Sequence, residues 1–289
     1  MSEWLIKNMS EIKYPAVPAE QLERIFSYVH PDPHQILGAH PTPQGIIVRT
    51  YKPEAIRVEL LVDDEPPRTM NRTHQAGLFE LLLADKTQTF PYRLGVSYAD
   101  GNVYTQRDSY AFLPTLGNFD EHLFAEGRHL KLYEKLGAHV RRLGDVGGVS
   151  FAVWAPNAEG VSVVGNFNNW DGRLNQMRRL GVSGIWELFI PDLSAGALYK
   201  YEMHHRGRLS FLKADPYALQ TEVPPATSSI VFEPNYQFTD GEWIEQRGQR
   251  DHLRQPLSIY EVHLGSWRRI LEEGNRSLTY RETAPALAA

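Results

Sequence analysis

Along most of the chain, apolar and polar residues alternate in short runs separated by Gly, Pro, Asn or Asp. Residues 46–51, 56–62, 78–83, 92–98 and 103–106 form one group of such runs. A second group extends over 148–232, with 151–154 and 161–164 among its members. Period-two alternation between turn residues predicts half-buried β-strands, and no helical stretch separates successive runs as a parallel sheet would require. Helical spacing enters only at the margins of these groups. Leu22, Ile25, Phe26 and Val29 fall at i, i+3, i+4 and i+7, which predicts one amphipathic helix over 19–29, closed by Pro31 and Pro33. Leu123, Phe124, Leu130, Leu132 and Leu136 predict a helical linker over 118–137. Thr279 with Glu282 three residues later makes a capping box, so a further helix should start near Tyr280.

The two β groups are copies of one another. Gly77-Leu78-Phe79-Glu80-Leu81 aligns with Gly184-Ile185-Trp186-Glu187-Leu188 at an offset of 107 residues. The same offset places Tyr92 on Tyr199 and Asp108-Ser109-Tyr110-Ala111 on Asp215-Pro216-Tyr217-Ala218. Upstream, Gly45, Tyr51 and Pro53 align with Gly148, Trp154 and Pro156 at an offset of 103. The change of offset falls where the second copy carries an Asn-rich loop, residues 166–172, containing Trp170. A duplicated fold accounts for the shared glycines and aromatics; it does not account for that loop. The expected fold class is all-β, with two tandem immunoglobulin-like antiparallel β-sandwiches joined by a helical linker. The expected boundaries are 1–29 for an arm and short helix, 30–117 for the first sandwich, 118–142 for the linker, 143–235 for the second sandwich and 236–255 for another linker. Residues 256–289 open with an apolar strand over 257–264.

Length supports more than one domain, since 289 residues exceed one ordinary sandwich. Cysteine is absent, which removes disulfide and thiol chemistry and fits a cytoplasmic protein. A net charge of −5 without a basic block argues against nucleic acid, and no apolar run approaches the ~18 residues of a membrane span. His30 with His34, and the pair His204-His205, lack further ligands at usable spacing, so no metal is expected. Gly147-Gly148 belongs to no phosphate-binding motif, and no cofactor is expected. Trp154, Trp186, Tyr199 and Tyr201 alternate within strands and are expected to fill cores.

Trp154-Ala155-Pro156-Asn157-Ala158, Gly165-Asn166-Phe167-Asn168-Asn169-Trp170 and Leu198-Tyr199-Lys200-Tyr201-Glu202 resemble carbohydrate-binding module family 48. Three more stretches resemble bacterial glycogen (1,4-α-glucan) branching enzymes of the α-amylase superfamily. They are Asp32 to Gly38, Glu126-Gly127-Arg128-His129 through Leu136-Gly137-Ala138-His139, and Ile259-Tyr260-Glu261-Val262-His263-Leu264-Gly265-Ser266-Trp267. The resemblance implies that 257–264 is the first strand of a (β/α)₈ barrel, of which 256–289 is only the start, since such barrels take about 250 residues. It implies an α-glucan partner, docking of the module on the missing barrel, and a role in making α-1,6 branches from α-1,4 chains.

Glycosyl transfer with retention needs two carboxylates roughly 5 Å apart. Only Glu261, Glu272, Glu273 and Glu282 follow Pro256, and none matches a catalytic position of the family. The chain is therefore expected to hold no catalytic residue and to be inactive alone. The resemblance assigns Trp170, Lys200 and Asn168 to substrate binding. Two other platform positions of glycogen-binding modules fall on Leu209, after Gly207, and on Ser228 or Ser229, which do not match. Trp170 then either stacks on a sugar ring or packs the module against its neighbour. The rival readings are a non-catalytic glucan-binding module and the amino-terminal part of an isoamylase-like debranching enzyme.

Overall fold

The period-two runs become antiparallel strands in a computed structural model that describes residues 16–205, 209–249, 251 and 254–289. The chain divides into two compact units, residues 1–234 and 235–289. Most of the expected arm lies outside the described residues.

In the first unit α1 (Ala19–Phe26) turns its apolar face inward, with Ile25 fully buried. The first repeat follows as β1 (Gly38–Thr42), β2 (Gly45–Tyr51), β3 (Arg57–Leu61), β4 (Arg68–Thr69), β5 (Asn71–His74), β6 (Leu78–Leu83), β7 (Arg93–Ser97) and β8 (Val103–Arg107). They pair as two sheets of order β1-β2-β6-β5 and β4-β3-β7-β8. One face of each sheet supplies a common core: Ile46, Val48 and Phe79 from the first, Val58, Leu60, Leu94 and Val96 from the second. Each fully buried side chain of this size contributes about 1.5–3 kcal/mol.

The chain then forms α2 (Asn118–Ala125), which is shorter than the linker helix the apolar spacing predicts. Gly127, at φ 68°, lets the Gly127 N–H reach Phe124 O and the Arg128 N–H reach Leu123 O, a Schellman stop. Leu130 is consequently exposed rather than packed. The end of the expected linker is itself a strand, β9 (Gly137–Leu143).

The second repeat continues as β10 (Val146–Trp154), β11 (Gly160–Gly165), β12 (Arg178–Leu180), β13 (Ile185–Pro191), β14 (Leu198–His204), β15 (Phe211–Lys213), β16 (Gln220–Thr221) and β17 (Ser229–Ile230). Its sheets have order β12-β13-β10-β9 and β11-β14-β17-β16, with β15 also on β14. Local chemistry repeats along with topology. His40 Nε2 lies 2.9 Å from Leu37 O, and His139 Nε2 lies 2.9 Å from Leu136 O. The Tyr92 hydroxyl donates to Asp108 Oδ2 at 2.7 Å, and Tyr199 donates to Asp215 Oδ2 at 2.6 Å. Gly38 and Gly137 both have φ near +100°, and a Cβ there would meet the Tyr110 and Tyr217 carbonyl oxygens at 2.6 and 3.1 Å. Conformation disfavours a side chain at both positions, and at Gly38 space excludes one as well.

A further core joins α1, Leu37, Tyr51 and Tyr110 to Phe151, Val163, Trp186 and Tyr199 of the second repeat. Polar contacts reinforce that joint. Tyr110 Oη accepts from Gln176 N at 3.0 Å, and Gln176 Nε2 donates to Ile25 O at 3.0 Å. Arg107 meets Asp192 at 2.8 Å, and Arg173 meets Glu54 at 2.7 Å.

The second unit contains α3 (Gly241–Arg247), α4 (Leu264–Trp267), the short pair β18 (Arg269–Ile270) and β19 (Arg276–Ser277), and α5 (Tyr280–Ala288). The predicted cap of α5 is present: Thr279 Oγ1 accepts from Glu282 N, and Glu282 Oε2 accepts from Thr279 N. The strand expected over 257–264 does not form. Residues 256–263 have no ladder partner among the described residues, so their backbone groups lack the bonds that define a strand, and Leu257 and Ile259 are exposed.

Candidate functional site

The loop that only the second repeat carries leaves β11 at Gly165, and its shape is set by Asn168. That side chain is buried, with Oδ1 accepting from Gly165 N at 2.9 Å. Its Nδ2 donates to Val163 O at 2.8 Å and to Asn175 Oδ1 at 2.9 Å. The bonds close the loop so tightly that Asn169 and Trp170 both adopt left-handed backbone, φ 53° and 60°. Left-handed conformation costs a non-glycine residue roughly 1–2 kcal/mol, and strain of this kind collects where a side chain must be aimed. Trp170 N donates to Gly165 O at 3.0 Å, and its indole Nε1 donates to Asn166 Oδ1 at 3.1 Å. One ring edge is thus tethered while the side chain remains 37% exposed.

Register carries this loop to β14. Gly165 pairs with Tyr199, and Val164 with Lys200. Tyr199 and Tyr201 point into the core, where both hydroxyls reach Asp215. Burial pushes both phenols up, with the Asp215 charge adding to the effect; it also raises the Asp215 carboxyl, against the hydrogen bonds it accepts. Lys200 and Glu202 alternate outward from that core. Lys200 Nζ donates to Thr227 Oγ1 at 2.6 Å. Glu222 accepts from Ser228 N at 2.8 Å, and its pKa is lowered by bonds to Ser228, with Lys200 adding a smaller pull. Ser210 Oγ donates to Glu202 Oε1 at 2.5 Å. The outward face therefore offers an indole, an ammonium, a carboxylate and several hydroxyls.

The three residues assigned from sequence do not share one environment. Trp170 and Lys200 reach the surface; Asn168 is enclosed and fully engaged in shaping the loop. Leu209 is exposed, Ser228 and Ser229 are buried, and Gly207 lies outside the described residues. Asn166 and Glu202 join the surface from within the loop and strand motifs, though the resemblance assigns neither to binding, and Thr227 joins it without a sequence signal, through its bond from Lys200. Of the four expected core aromatics, Trp186, Tyr199 and Tyr201 are buried, but Trp154 is 54% exposed. It ends β10, where the indole Nε1 donates to Ser183 O and the ring meets Phe124 edge-on.

Two of the four late carboxylates are held by local structure. Glu273 and Glu282 bind Arg276 at 2.6 and 2.9 Å, and the Arg276 bonds, with those from Thr279, bring the Glu282 carboxyl down to about 2. Among the described residues no group of three His, Cys, Asp or Glu is placed to hold a metal, and no helix is long and apolar enough to cross a membrane.

Residues 18–110 match the family described as alpha-1,4-glucan branching enzyme GlgB, N-terminal domain, and residues 135–218 match Carbohydrate-binding module 48 (Isoamylase N-terminal domain). The chain is 51% identical over 272 residues to the 1,4-alpha-glucan branching enzyme GlgB of Myxococcus xanthus (strain DK1622), covering 93% of this chain and 37% of that protein. It is 48% identical over 260 residues to the protein of the same name from Paramagnetospirillum magneticum (strain ATCC 700264 / AMB-1), covering 89% and 35%. The chain thus spans about a third of the length of the curated relatives it matches.

Proposed function

We propose that this chain, which belongs to the amino-terminal region of the GlgB branching-enzyme family, holds α-glucan for an enzyme that cuts α-1,4 bonds and re-forms them as α-1,6 branches. In this reading the two repeats are tandem immunoglobulin-like sandwiches. The segment from 256 onward begins a catalytic barrel, on which the second sandwich docks, and the whole works in the cytoplasm. The observation that carries the glucan-holding role is the tethered, outward Trp170 on a loop the first repeat lacks. An indole face stacks on the apolar face of a sugar ring for about 0.5–1.5 kcal/mol. Lys200 adds a charge-assisted hydrogen bond to a ring hydroxyl, about 1.5–3 kcal/mol. Together these reach millimolar affinity at best, which takes about 4 kcal/mol. Asn168 serves as a positioning residue, locking the loop that aims the indole.

Retarded migration of the chain through glycogen-containing gel tests this. Trp170→Ala should restore free mobility and Lys200→Met should restore part of it. Unchanged retardation in Trp170→Ala would instead assign the indole to packing against the barrel. Catalysis by this chain alone is not expected: incubation with amylose should leave the iodine stain intact, and a falling absorbance with new α-1,6 linkages would contradict that.

A further inference from the structure

The inserted loop has an inner side as well as an outer one. Where it meets the first repeat, Phe167, Asn168, Leu174 and Asn175 face Lys52, Tyr98 and Ser109 across a cavity of about 230 Å³. One water needs only ~10–15 Å³ of such space, so the cavity accommodates a ligand of many atoms. Copy one has no such loop, so the Phe167–Asn168 wall of the cavity is particular to the second copy.

Its charges cancel. Arg107 Nη1 donates to both Asp192 oxygens, at 2.8 and 3.0 Å. Asp108 accepts from the Tyr92 hydroxyl at 2.7 Å and from Tyr110 N at 3.0 Å. Lys52 faces Asp108 as its opposing charge, and desolvation outweighs that attraction and lowers the ammonium pKa. Two cations and two carboxylates are a poor lining for a free anion, which would meet repulsion from both acids.

Its donors are left over. Among the described residues, the Lys52 ammonium and the Ser109 hydroxyl make no hydrogen bond. Asn175 has its Oδ1 taken by Asn168 Nδ2 at 2.9 Å, which leaves its own amide N–H groups unmatched. None of these donors is sealed from water; a ligand rich in oxygen can take the water's place, and engaged carboxylates with spare lone pairs can receive its hydroxyl protons in return. Tyr98 and Phe167 add aromatic wall on which a ring can rest.

We propose that this cavity between the repeats is a binding site for one neutral polyhydroxylated ring, a free hexose or the terminal unit of a glucan chain. It is separate from the Trp170 surface, and its test separates the two. In the full chain, glucose titrated against the ¹⁵N-labelled protein should shift the resonances of Lys52, Ser109 and Asn175 and leave the Trp170 indole unmoved. Lys52→Met, and Asn175→Asp, which retains the acceptor for Asn168, should each weaken glucose binding about ten-fold or more, and Trp170→Ala should leave it unchanged. Maltotriose competing with glucose at the same resonances would identify the chain end as the ligand; glucose alone would identify the free sugar. Shifts confined to the Trp170 indole would overturn the proposal, as would inorganic phosphate binding at Lys52 where glucose does not. Lys52→Met should leave the response of the Trp170 indole resonance to maltotriose unchanged, so failure of either site is visible without the other.

Discussion

The two repeats share a fold and differ in what each does with the same buried glutamate. In the first, Glu80 on β6 pairs with Arg49 of β2, directly opposite in register, at 2.6 Å. In the second, Glu187 on β13 pairs with Arg178 of β12, opposite on the other side, at 2.8 Å. The position of Arg49 is taken in the second repeat by Ala152, and the position of Arg178 is taken in the first by Asn71. The reason lies in the segment between the repeats. Leu116, Leu136 and Phe124 pack over Ala152, Leu180 and Ile185, so a long side chain on β10 would collide with them. Thr115 from the same segment donates to Glu187 Oε1 through N and Oγ1, at 3.0 and 2.8 Å. A central strand gives a buried acid two cross-strand neighbours, and the cation comes from whichever side is not covered.

Removing the cation tests this most severely. Breaking one side of a buried pair costs about 3–5 kcal/mol. Both Arg49→Met and Arg178→Met should fall in that range by urea unfolding, with Arg178→Met the milder because Glu187 keeps its Thr115 bonds. Equal losses would show that Thr115 does not compensate. The tyrosine pairs form a second contrast. Tyr92→Phe should cost about 1–3 kcal/mol by leaving Asp108 underbonded. Tyr199→Phe should cost less, since the Tyr201 hydroxyl also reaches Asp215, at 3.3 Å.

Acid probes the joint between the repeats. His34 is packed edge-on against Tyr110 at 5.0 Å. Burial lowers its pKa, Arg178 adds to that, and Asp32 and Glu187 oppose it. A histidine with a lowered folded pKa is bound neutral, so its contribution to stability is present above the ordinary value near 6.5 and is lost as pH falls from there towards the folded value. The melting temperature should drop as pH falls below about 6.5, and His34→Gln should flatten that slope. The smallest effect on stability is expected at the loop itself. Trp170→Ala should stay within about 0.5 kcal/mol of the parent, because the indole is exposed and its left-handed backbone is already strained. A larger loss would make Trp170 a packing residue.

Much of this organisation is readable in one dimension. Residues 78–83 and 161–164 are apolar and sharply bounded, and both become strands. Equal spacing of Gly, Tyr and Asp reveals the duplication, because the positive-φ turn at Gly77 or Gly184 and the Tyr–Asp bond each demand one residue type. β1 and β9 escape notice: Gly38-Ala39-His40-Pro41-Thr42 has neither the length nor the apolar content of a strand, and it forms only by pairing with β2. Residues 257–264 err the other way, with strand-like alternation and no strand, since a ladder needs a partner that propensity cannot supply.

At the proposed binding surface the division is sharper still. Residue type and spacing suffice to place Trp170 on a tight loop and Lys200 on an outward strand position, since both follow from local turn chemistry and a period of two. Which strand lends Glu187 its arginine and whether a cavity opens beneath the insertion depend on packing between segments more than sixty residues apart. Those outcomes are set by burial and cross-strand register, which arise only when the two repeats close on one another.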